Sequence, residues 1–209
     1  MGVLDKSVVI LQHLADGPLD LAALQSATGL PRATAHRLAV ALEVHGLVRR
    51  DPQGRFCLGL ELVALGRAAL VAFPLGELAR GALEALRDRT GESVQLFVRE
   101  HQSRRCVVSL QSAHALQWLV PEGALLPLAV GSAGKVLTGA SGAAPWAESV
   151  EEREAGVASV SAAVRDRHGH VVAAVSVSGP LERLSRQPGQ RYGAAVVAAA
   201  AEVSAAIRH

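Results

Sequence analysis

The spacing of hydrophobic positions predicts two short helices at the start of the chain. In residues 5–15, DKSVVILQHLA, apolar side chains recur every three or four positions, and a Gly-Pro pair that breaks helices follows. Asp20 is a good N-cap for a second helix, LAALQSAT, and Gly29 closes it. The chain therefore starts with two helices separated by a short connection.

A third helix and a hairpin follow. Pro31 fits the first position of this helix, and Gly46 ends it. One face of the helix is apolar and consists of Ala35, Leu38, Ala39 and Leu42. Next, LVRRD and RFCLG are typical of two short strands joined by a tight PQG turn. Three short helices and a two-stranded wing predict a winged helix-turn-helix, whose third helix would enter a DNA major groove.

The rest of the chain alternates between helical and strand-like patterns. Residues 58–73 are helical and apolar on more than one side, which is typical of a buried helix or of a linker that packs against a partner. Pro74 interrupts the helical pattern and marks the predicted domain boundary. Helices are predicted at 76–91, 130–140 and 189–207, and strands at 93–100, 105–111, 116–121, 156–166 and 169–179. This order predicts an α+β fold with an antiparallel sheet.

The distribution of charged residues narrows the possible functions of the N-terminal part. The 209-residue chain has a net charge of only +2, so it is not a general binder of polyanions. Between Thr28 and Cys57, however, five arginines are accompanied by only two acidic residues. A local basic patch on a nearly neutral chain is what a nucleic-acid-reading module needs. The alternative, an ordinary solvated helix face, is weakened by the helix-turn-helix and wing that surround these arginines.

Composition excludes several other classes. Cys57 and Cys106 are far apart and lack partners at metal-ligand spacing, so neither zinc nor a disulfide framework is expected, nor any other cofactor. The first residues lack the pattern of a signal peptide, and no apolar run is long enough to span a bilayer. We therefore expect a cytoplasmic protein without a membrane segment. The GSAGKV segment lacks the spacing and the hydroxyl residue of a phosphate-binding loop, and no G-x-S-x-G is present.

Two long segments resemble a known family. The stretch GPLDLAALQSATGLPRATAHRLAVALEVHGLVRRDPQGRFCLGLELVALG resembles the DNA-binding domain of the IclR family of transcriptional regulators, and PLAVGSAGKVL and EREAGVASVSAAVRDRHGHVVAAVSVSGPLERL resemble its effector-binding domain. The likeness is closest to an actinobacterial branch that controls amino-acid biosynthesis, including the leucine pathway. The resemblance implies a winged helix-turn-helix domain (1–59), a linker helix (60–74) and a GAF-like effector domain (75–209). It also implies dimers that form through the DNA-binding parts, and tetramers that form through the effector domains.

The resemblance assigns residues to both domains. DNA contacts are implied for Arg32, Thr34, His36, Arg37, Arg49, Arg50 and Arg55. A small-molecule pocket is implied for Trp118, Leu126, Ser132, Ala133, Ser149, Val157, Ser159, Ser176 and Ser178. Ser176 and Ser178 alternate with valines, so both project from one sheet face, where they are either ligand contacts or small residues on a packed strand. Trp118 is likewise either a ligand contact or a core residue.

The composition of this implied pocket predicts its ligand. It contains no lysine or arginine, so a highly charged ligand such as a nucleotide would be poorly neutralised. Hydroxyls and the first amides of the following helix are able to hold a small carboxylate. We therefore expect a small organic acid or an amino-acid-like effector, bound by hydrogen bonds rather than ion pairs.

The chain departs from the family at one point. Between GKVLTGA and WAESVEERE the family carries a few dozen more residues, largely helical, where only residues 141–145, SGAAP, stand here. Three functions therefore compete. The first is a regulator that binds a pseudo-palindromic operator as a dimer and responds to an effector. The second is a regulator that has lost sensing through this deletion. The third, a GAF-like metabolite-binding protein or enzyme, is opposed by the lack of acid-base pairs and metal ligands, and we expect no enzymatic activity.

Overall fold

The computed structural model describes residues 2–72, 74–140 and 142–207, with the side chain of Leu70 left out. Met1, Phe73, Ser141, Arg208 and His209, which belong to the predicted domains, linker and shortened segment, lie outside the described residues. The chain folds into two compact units, residues 1–73 and 74–209. Among the described residues, no helix has the length and apolar character needed to cross a membrane.

The N-terminal unit is built from three helices, α1 (Val3–Ala15), α2 (Leu21–Thr28) and α3 (Arg32–Val44). The side chain of Asp20 accepts a hydrogen bond from the amide of Ala23 at 2.8 Å, which caps α2, and Gly29 ends α2 in the left-handed conformation. Pro31 is the N-cap of α3 rather than its first residue, a difference within the usual uncertainty of helix ends.

A two-stranded wing completes this unit, formed by β1 (Val48–Arg50) and β2 (Phe56–Leu58) in antiparallel register. Leu19, between α1 and α2, exchanges two backbone hydrogen bonds with Phe56, and these tie the wing to the helices. The four predicted apolar residues of α3 are all buried, in a core that also contains Ile10, Leu14 and Leu24. The helix α4 (Glu61–Ala72) follows the wing, and none of its described side chains is buried. The chain therefore does not bury α4 within this unit.

The C-terminal unit is a six-stranded antiparallel sheet with helices on both faces. Its strands are β3 (Ser93–Glu100), β4 (Ser103–Leu110), β5 (Leu125–Pro127), β6 (Trp146–Val150), β7 (Val157–Arg165) and β8 (Val171–Pro180), in the spatial order β5-β4-β3-β8-β7-β6. Its helices are α5 (Leu75–Thr90), α6 (Ser132–Thr138), α7 (Leu181–Leu184) and α8 (Pro188–Ala206). The predicted α+β fold with a winged helix-turn-helix and an antiparallel sheet is confirmed.

Each face of the sheet has its own core. On one face, α5 and α8 pack over Val94, Val160 and Val175. On the other face, α6 packs over Phe97, Cys106 and Ala174, together with residues of the loop between β4 and β5. Burying residues on both faces explains why the strands of the sheet are rich in valine and alanine and alternate only weakly between apolar and polar.

One predicted strand was wrong, and two strands of the sheet were not predicted. Residues 116–121, LQWLVP, form a loop and not a strand, and the strand that pairs with β4 at this edge is β5 instead. The strand β6 was not predicted, because its two buried residues are Ala147 and Ser149, which are small or polar. A strand whose buried side holds such residues gives no hydrophobic alternation to detect.

Candidate functional site

The first candidate surface lies on α3. Arg32, His36 and Arg37 are exposed, Thr34 is half-buried, and the buried face of the same helix points toward the core. Neither Arg32 nor Arg37 makes an ion pair with another described residue. The sequence therefore produces a helix that is apolar on one side and presents unpaired cations on the other, as binding to nucleic acid requires.

The three wing arginines differ in their surroundings. Arg55 forms an ion pair with Asp51 at 2.7 Å, and Asp51 also accepts hydrogen bonds from the amides of the wing turn. The Arg50 guanidinium lies 4.2 Å from the Phe56 ring centroid, and its Nε is 3.3 Å from a carboxylate oxygen of Glu43. Arg49 is exposed and makes no ion pair with any described residue. Arg50 and Arg55 thus stabilise the wing, whereas Arg49 is available to a partner.

The second candidate site is a cavity of about 40 Å³ between the sheet and α6. This volume is roughly three times what one water molecule requires, taken as about 10–15 Å³. Eight of the nine residues implied for the pocket line it: Trp118, Ser132, Ala133, Ser149, Val157, Ser159, Ser176 and Ser178. The ninth, Leu126, is not among the residues that line it; on β5 it pairs with Arg104 at the sheet edge and packs into the core beneath α6. Seven further residues complete the lining: Gln95, Phe97, Arg104, Val120, Gly131, Arg153 and Glu154.

Serine hydroxyls form part of the cavity wall. The hydroxyl of Ser132, the first residue of α6, lies 2.7 Å from the hydroxyls of both Ser159 and Ser161 on β7. On the neighbouring strand, the Ser178 hydroxyl donates to the side-chain oxygen of Gln95 at 2.8 Å. Each hydroxyl has one proton to donate and can also accept, so this network is able to adjust to a ligand by rotation of its O–H groups.

Arg104 brings a buried positive charge to the cavity. Only 3% of its surface is exposed, and no carboxylate among the described residues pairs with it. Its Nη1 donates to the carbonyl of Val130 at 2.7 Å and also to that of Pro127, and its guanidinium lies 5.4 Å from the Phe97 ring centroid. Burial and the nearby charge of Arg153 lower the pKa of Arg104 to about 10, so it remains cationic at neutral pH.

A second cation lies near the mouth of the cavity. The Arg153 guanidinium is 4.8 Å from the Trp118 ring centroid, a cation–π contact. Burial lowers the pKa of Arg153, and the nearby negative charge of Glu154 partly offsets this effect. Glu154 also lines the cavity and is exposed. The prediction that no arginine lines the pocket is therefore wrong, so the lining no longer argues for an effector bound by hydrogen bonds rather than ion pairs.

The loop that carries Arg153 is anchored to α6. Lys135 on α6 donates to the Glu148 carbonyl at 2.8 Å and forms an ion pair with Glu152. Glu152 also accepts a hydrogen bond from the Gly131 amide at 3.1 Å. Burial raises the pKa of Glu152, but the hydrogen bonds from Lys135 and Gly131 outweigh this effect, so the pKa lies below its usual value. The Glu152 carboxylate is thus occupied by Lys135 and the Gly131 amide and leaves Arg104 without a counter-ion.

Alternation along β4 distinguishes Arg104 from its neighbour Arg105. Arg104 is in phase with Cys106, which is buried on the α6 face of the sheet, whereas Arg105 is only partly buried. A β-bulge beyond Cys106 moves Val108 to the core on the other face. Arg105 pairs with Glu100 on β3 at 2.5 Å. Two adjacent arginines therefore point to opposite faces of one strand, and period-two alternation is the signal that separates them.

The described residues contain no group of three or more histidine, cysteine, aspartate or glutamate side chains arranged to hold a metal ion. Cys57 and Cys106 are both buried and are not joined in a disulfide. Burial, together with Glu122, raises the pKa of the Cys106 thiol to about 12, so it is protonated at neutral pH.

Two family models match the chain. The model described as the IclR helix-turn-helix domain matches residues 3–52, and the model of the C-terminal domain of bacterial transcriptional regulator IclR matches residues 67–145 and 141–205. The second match is divided into two segments that meet at residues 141–145. This is where the sequence predicts the shortened segment.

Characterised relatives and solved structures agree with these matches. The glycerol operon regulatory protein of Streptomyces griseus is 31% identical over 87% of this chain and 85% of its own length. The transcriptional repressor IclR of Escherichia coli is 25% identical over 97% of this chain and 89% of its own length. An IclR homologue from Microbacterium hydrocarbonoxydans, solved as a complex with 4-hydroxybenzoate, has the same fold, with a TM-score of 0.83, 20% identity and 99% of both chains covered.

Proposed function

Because the chain belongs to the IclR family of DNA-binding transcriptional regulators and is not an enzyme, we propose that it binds a pseudo-palindromic operator as a homodimer in the cytoplasm. We further propose that a small carboxylate in the cavity changes its affinity for DNA. The observation that carries this effector proposal is Arg104, a buried cation that has no carboxylate partner among the described residues. A buried charge without a partner costs free energy, and an anionic ligand recovers part of that cost.

The DNA-binding proposal is supported by the charges of the N-terminal unit. The unpaired cations Arg32 and Arg37 are placed to contact base edges and phosphates in the major groove, with Thr34 and His36 beside them. Arg49 is placed to contact a phosphate, and Arg50 and Arg55 keep part of their charge exposed while they hold the wing together. Phosphate contacts by these residues would fix the register of the helix on the duplex without reading its sequence.

The dimer proposal is supported by apolar surface on two helices of this unit. Val3, Leu4 and Val8 on α1 are exposed, as are Leu60, just before α4, and Val63, Leu65 and Val71 on α4. A single winged helix reads too few base pairs for a specific site, so two copies aligned with two half-sites are expected. We propose that these apolar side chains are buried between two copies of the chain, and that tetramers form through the C-terminal units.

The effector proposal is supported by the chemistry of the cavity. Arg104 supplies a buried charge, the serines supply hydroxyls, and Phe97 and Trp118 supply aromatic walls. Two arginines and one glutamate make the lining net positive, which favours an acid held by an ion pair. The 4-hydroxybenzoate complex of the Microbacterium relative is a carboxylate complex and is consistent with this class. For an amino-acid-like effector, Glu154 at the rim is a candidate partner for the ammonium group.

Two finer assignments stay proposals. The Streptomyces griseus relative is a glycerol operon regulatory protein, so control of amino-acid biosynthesis is an expectation from the resemblance alone. Loss of effector sensing is the second candidate function. It is favoured by the small cavity volume and by the shortened segment at residues 141–145.

One comparison of variants tests the effector proposal. Arg104→Gln should abolish the stabilisation by benzoate and by short aliphatic acids that we expect in the parent protein, measured as a shift in Tm and by calorimetry. Arg105→Gln is the matched control, since the neighbouring arginine lies on the other face of β4. In the parent, a bound acid should also change operator affinity, because a ligand shifts affinity only if it prefers one arrangement of the protein. If no acid stabilises the parent, the regulator lacks this sensor and the second candidate is favoured.

A further inference from the structure

We propose that Gln95 is a specificity-determining residue of the cavity and donates a hydrogen bond to an uncharged oxygen of the effector whose carboxylate binds Arg104. This inference rests on the proposed function of the cavity as an effector site. It also adds a requirement on the ligand. Besides a carboxylate that pairs with Arg104, the effector should carry a second hydrogen-bond acceptor.

The main observation is that only one of the two polar atoms of the Gln95 side-chain amide has a hydrogen-bond partner among the described residues. Gln95 is 1% exposed and lines the cavity. Its side-chain oxygen accepts the hydrogen bond from Ser178, while its Nε2 is buried and has no hydrogen-bond partner among the described residues. A buried donor without a partner is unfavourable and rare in folded proteins. If the oxygen and nitrogen of the amide exchange places, one polar atom still lacks a partner.

The position of Gln95 in the sheet explains why a ligand would satisfy it. Gln95 lies on β3 and pairs directly with Ser176 on the neighbouring strand β8. Arg104, on the other neighbouring strand β4, pairs with Arg99, four positions along β3 from Gln95. Its guanidinium lies 5.4 Å from the ring centroid of Phe97, which is only two positions from Gln95. An acid with its carboxylate at Arg104 would therefore pass over Phe97 to reach Gln95, and the terminal torsion of glutamine is soft enough to direct Nε2 toward it.

A purely structural role explains only half of this arrangement. The hydrogen bond from Ser178 requires an acceptor at position 95, but it does not require the NH₂ group. Arg104 has the same feature, since its Nε is buried and lacks a partner among the described residues. Two side chains of one cavity thus each retain an unused donor, as expected for a site whose missing partner is a ligand.

The experiment compares butyrate, 2-oxobutyrate and 3-oxobutyrate, which share chain length and charge and differ by one carbonyl oxygen. Dissociation constants are measured by calorimetry for the parent, Gln95→Met and Gln117→Met. Methionine replaces glutamine with a side chain of similar length and no amide. Gln117 is the matched control, because its side-chain oxygen is also buried without a partner, yet it does not line the cavity.

In the parent and in Gln117→Met, at least one oxo acid should bind about tenfold more tightly than butyrate, as expected when a site donates to a ligand oxygen. In Gln95→Met that ratio should fall to about one, with butyrate affinity unchanged within about twofold. The Tm of ligand-free Gln95→Met should change little, because removal of the unpaired donor offsets the loss of the hydrogen bond from Ser178.

The outcomes separate the two proposals. An oxo-acid preference that persists in Gln95→Met overturns the role of Gln95 and leaves the effector site intact. A large fall in Tm together with equal losses for all three acids assigns Gln95 a structural role and also overturns the inference. If none of the three acids binds the parent while benzoate does, the second-acceptor requirement fails; if benzoate also fails, the effector proposal fails with it.

Discussion

The indole ring of Trp146 on β6 lies directly against Gly193 on α8. A Cβ atom at position 193 would approach indole carbons to 2.6 Å, and one at Gly189, one helical turn earlier, would approach the indole nitrogen to 2.1 Å. The same nitrogen donates to the Glu148 carboxylate at 3.2 Å. Two glycines on one helix face therefore form the recess that holds the edge strand β6.

This contact predicts a pair of opposite effects on stability. Gly193→Ala should reduce the free energy of unfolding by about 1–3 kcal/mol, because the ring or the helix must move to admit a methyl group. Gly81→Ala is the control on α5, where an added Cβ meets nothing within 4 Å. It should raise stability by up to about 1 kcal/mol through helix propensity. Urea unfolding measures both, and equal effects would contradict the packing of Trp146.

A second prediction separates base reading from phosphate binding. Arg37→Ala should cost about 1–3 kcal/mol at the operator and relax base preference, if its side chain reads a base edge. Arg49→Ala should instead weaken binding to all DNA sequences and reduce the slope of log affinity against log salt by about one. Titrations of operator and random DNA at several salt concentrations distinguish the two.

Arg55→Ala provides an internal comparison within the wing. Since Arg55 already pairs with Asp51, its loss should reduce DNA affinity less than the loss of Arg49. If Arg37→Ala and Arg49→Ala both bind like the parent, neither α3 nor the wing forms the DNA-binding surface.

A third prediction concerns assembly through α4. Val63→Glu should shift the protein toward monomer and reduce operator affinity, because the substitution places a charge in the proposed interface. Analytical ultracentrifugation at micromolar concentration measures the first effect. A parent protein that is monomeric and still binds the full operator tightly would contradict a dimer.

The fourth prediction concerns pH and the anchor between Lys135 and Glu152. The pKa of folded Glu152 lies below its usual value of 4.5, so ionised Glu152 stabilises the fold above that pH. As pH falls through the lowered pKa, the carboxylate is protonated and this contribution disappears. The Tm of Glu152→Gln should therefore lie below that of the parent at pH 7, and the difference should shrink below about pH 4.5.

The size of this effect should be modest. Both side chains of the pair are about one-third exposed (34% each), so solvent screening limits the contribution to about 1 kcal/mol or less. Glu154→Gln is the control, since Glu154 makes no ion pair with a described residue. A Tm difference for Glu152→Gln that does not change with pH would contradict the anchor.

The sequence alone determined the winged helix-turn-helix, because its signals are local. Caps such as Asp20, breakers such as Gly29 and the apolar face of α3 act within a few residues of one another, so a linear pattern records them. The position of β6 could not be predicted from such local sequence signals. Its buried residues are small or polar, and the strand is held by glycines more than forty residues away on α8.

The residues of the cavity were identified partly from the sequence and partly from the tertiary structure. The resemblance to the family placed eight lining residues, and alternation placed Ser176 and Ser178 on one face. Only the tertiary structure identified Arg104 as its buried cation. Alternation places Arg104 and Arg105 on opposite faces of β4, but it does not show which of them lacks an acidic partner. Arg105 pairs with Glu100 on the adjacent strand, while Arg104 lies under the loop before α6 with carbonyls as its partners. Burial and pairing depend on residues distant in the chain, and these decide which of two identical side chains carries an unbalanced charge.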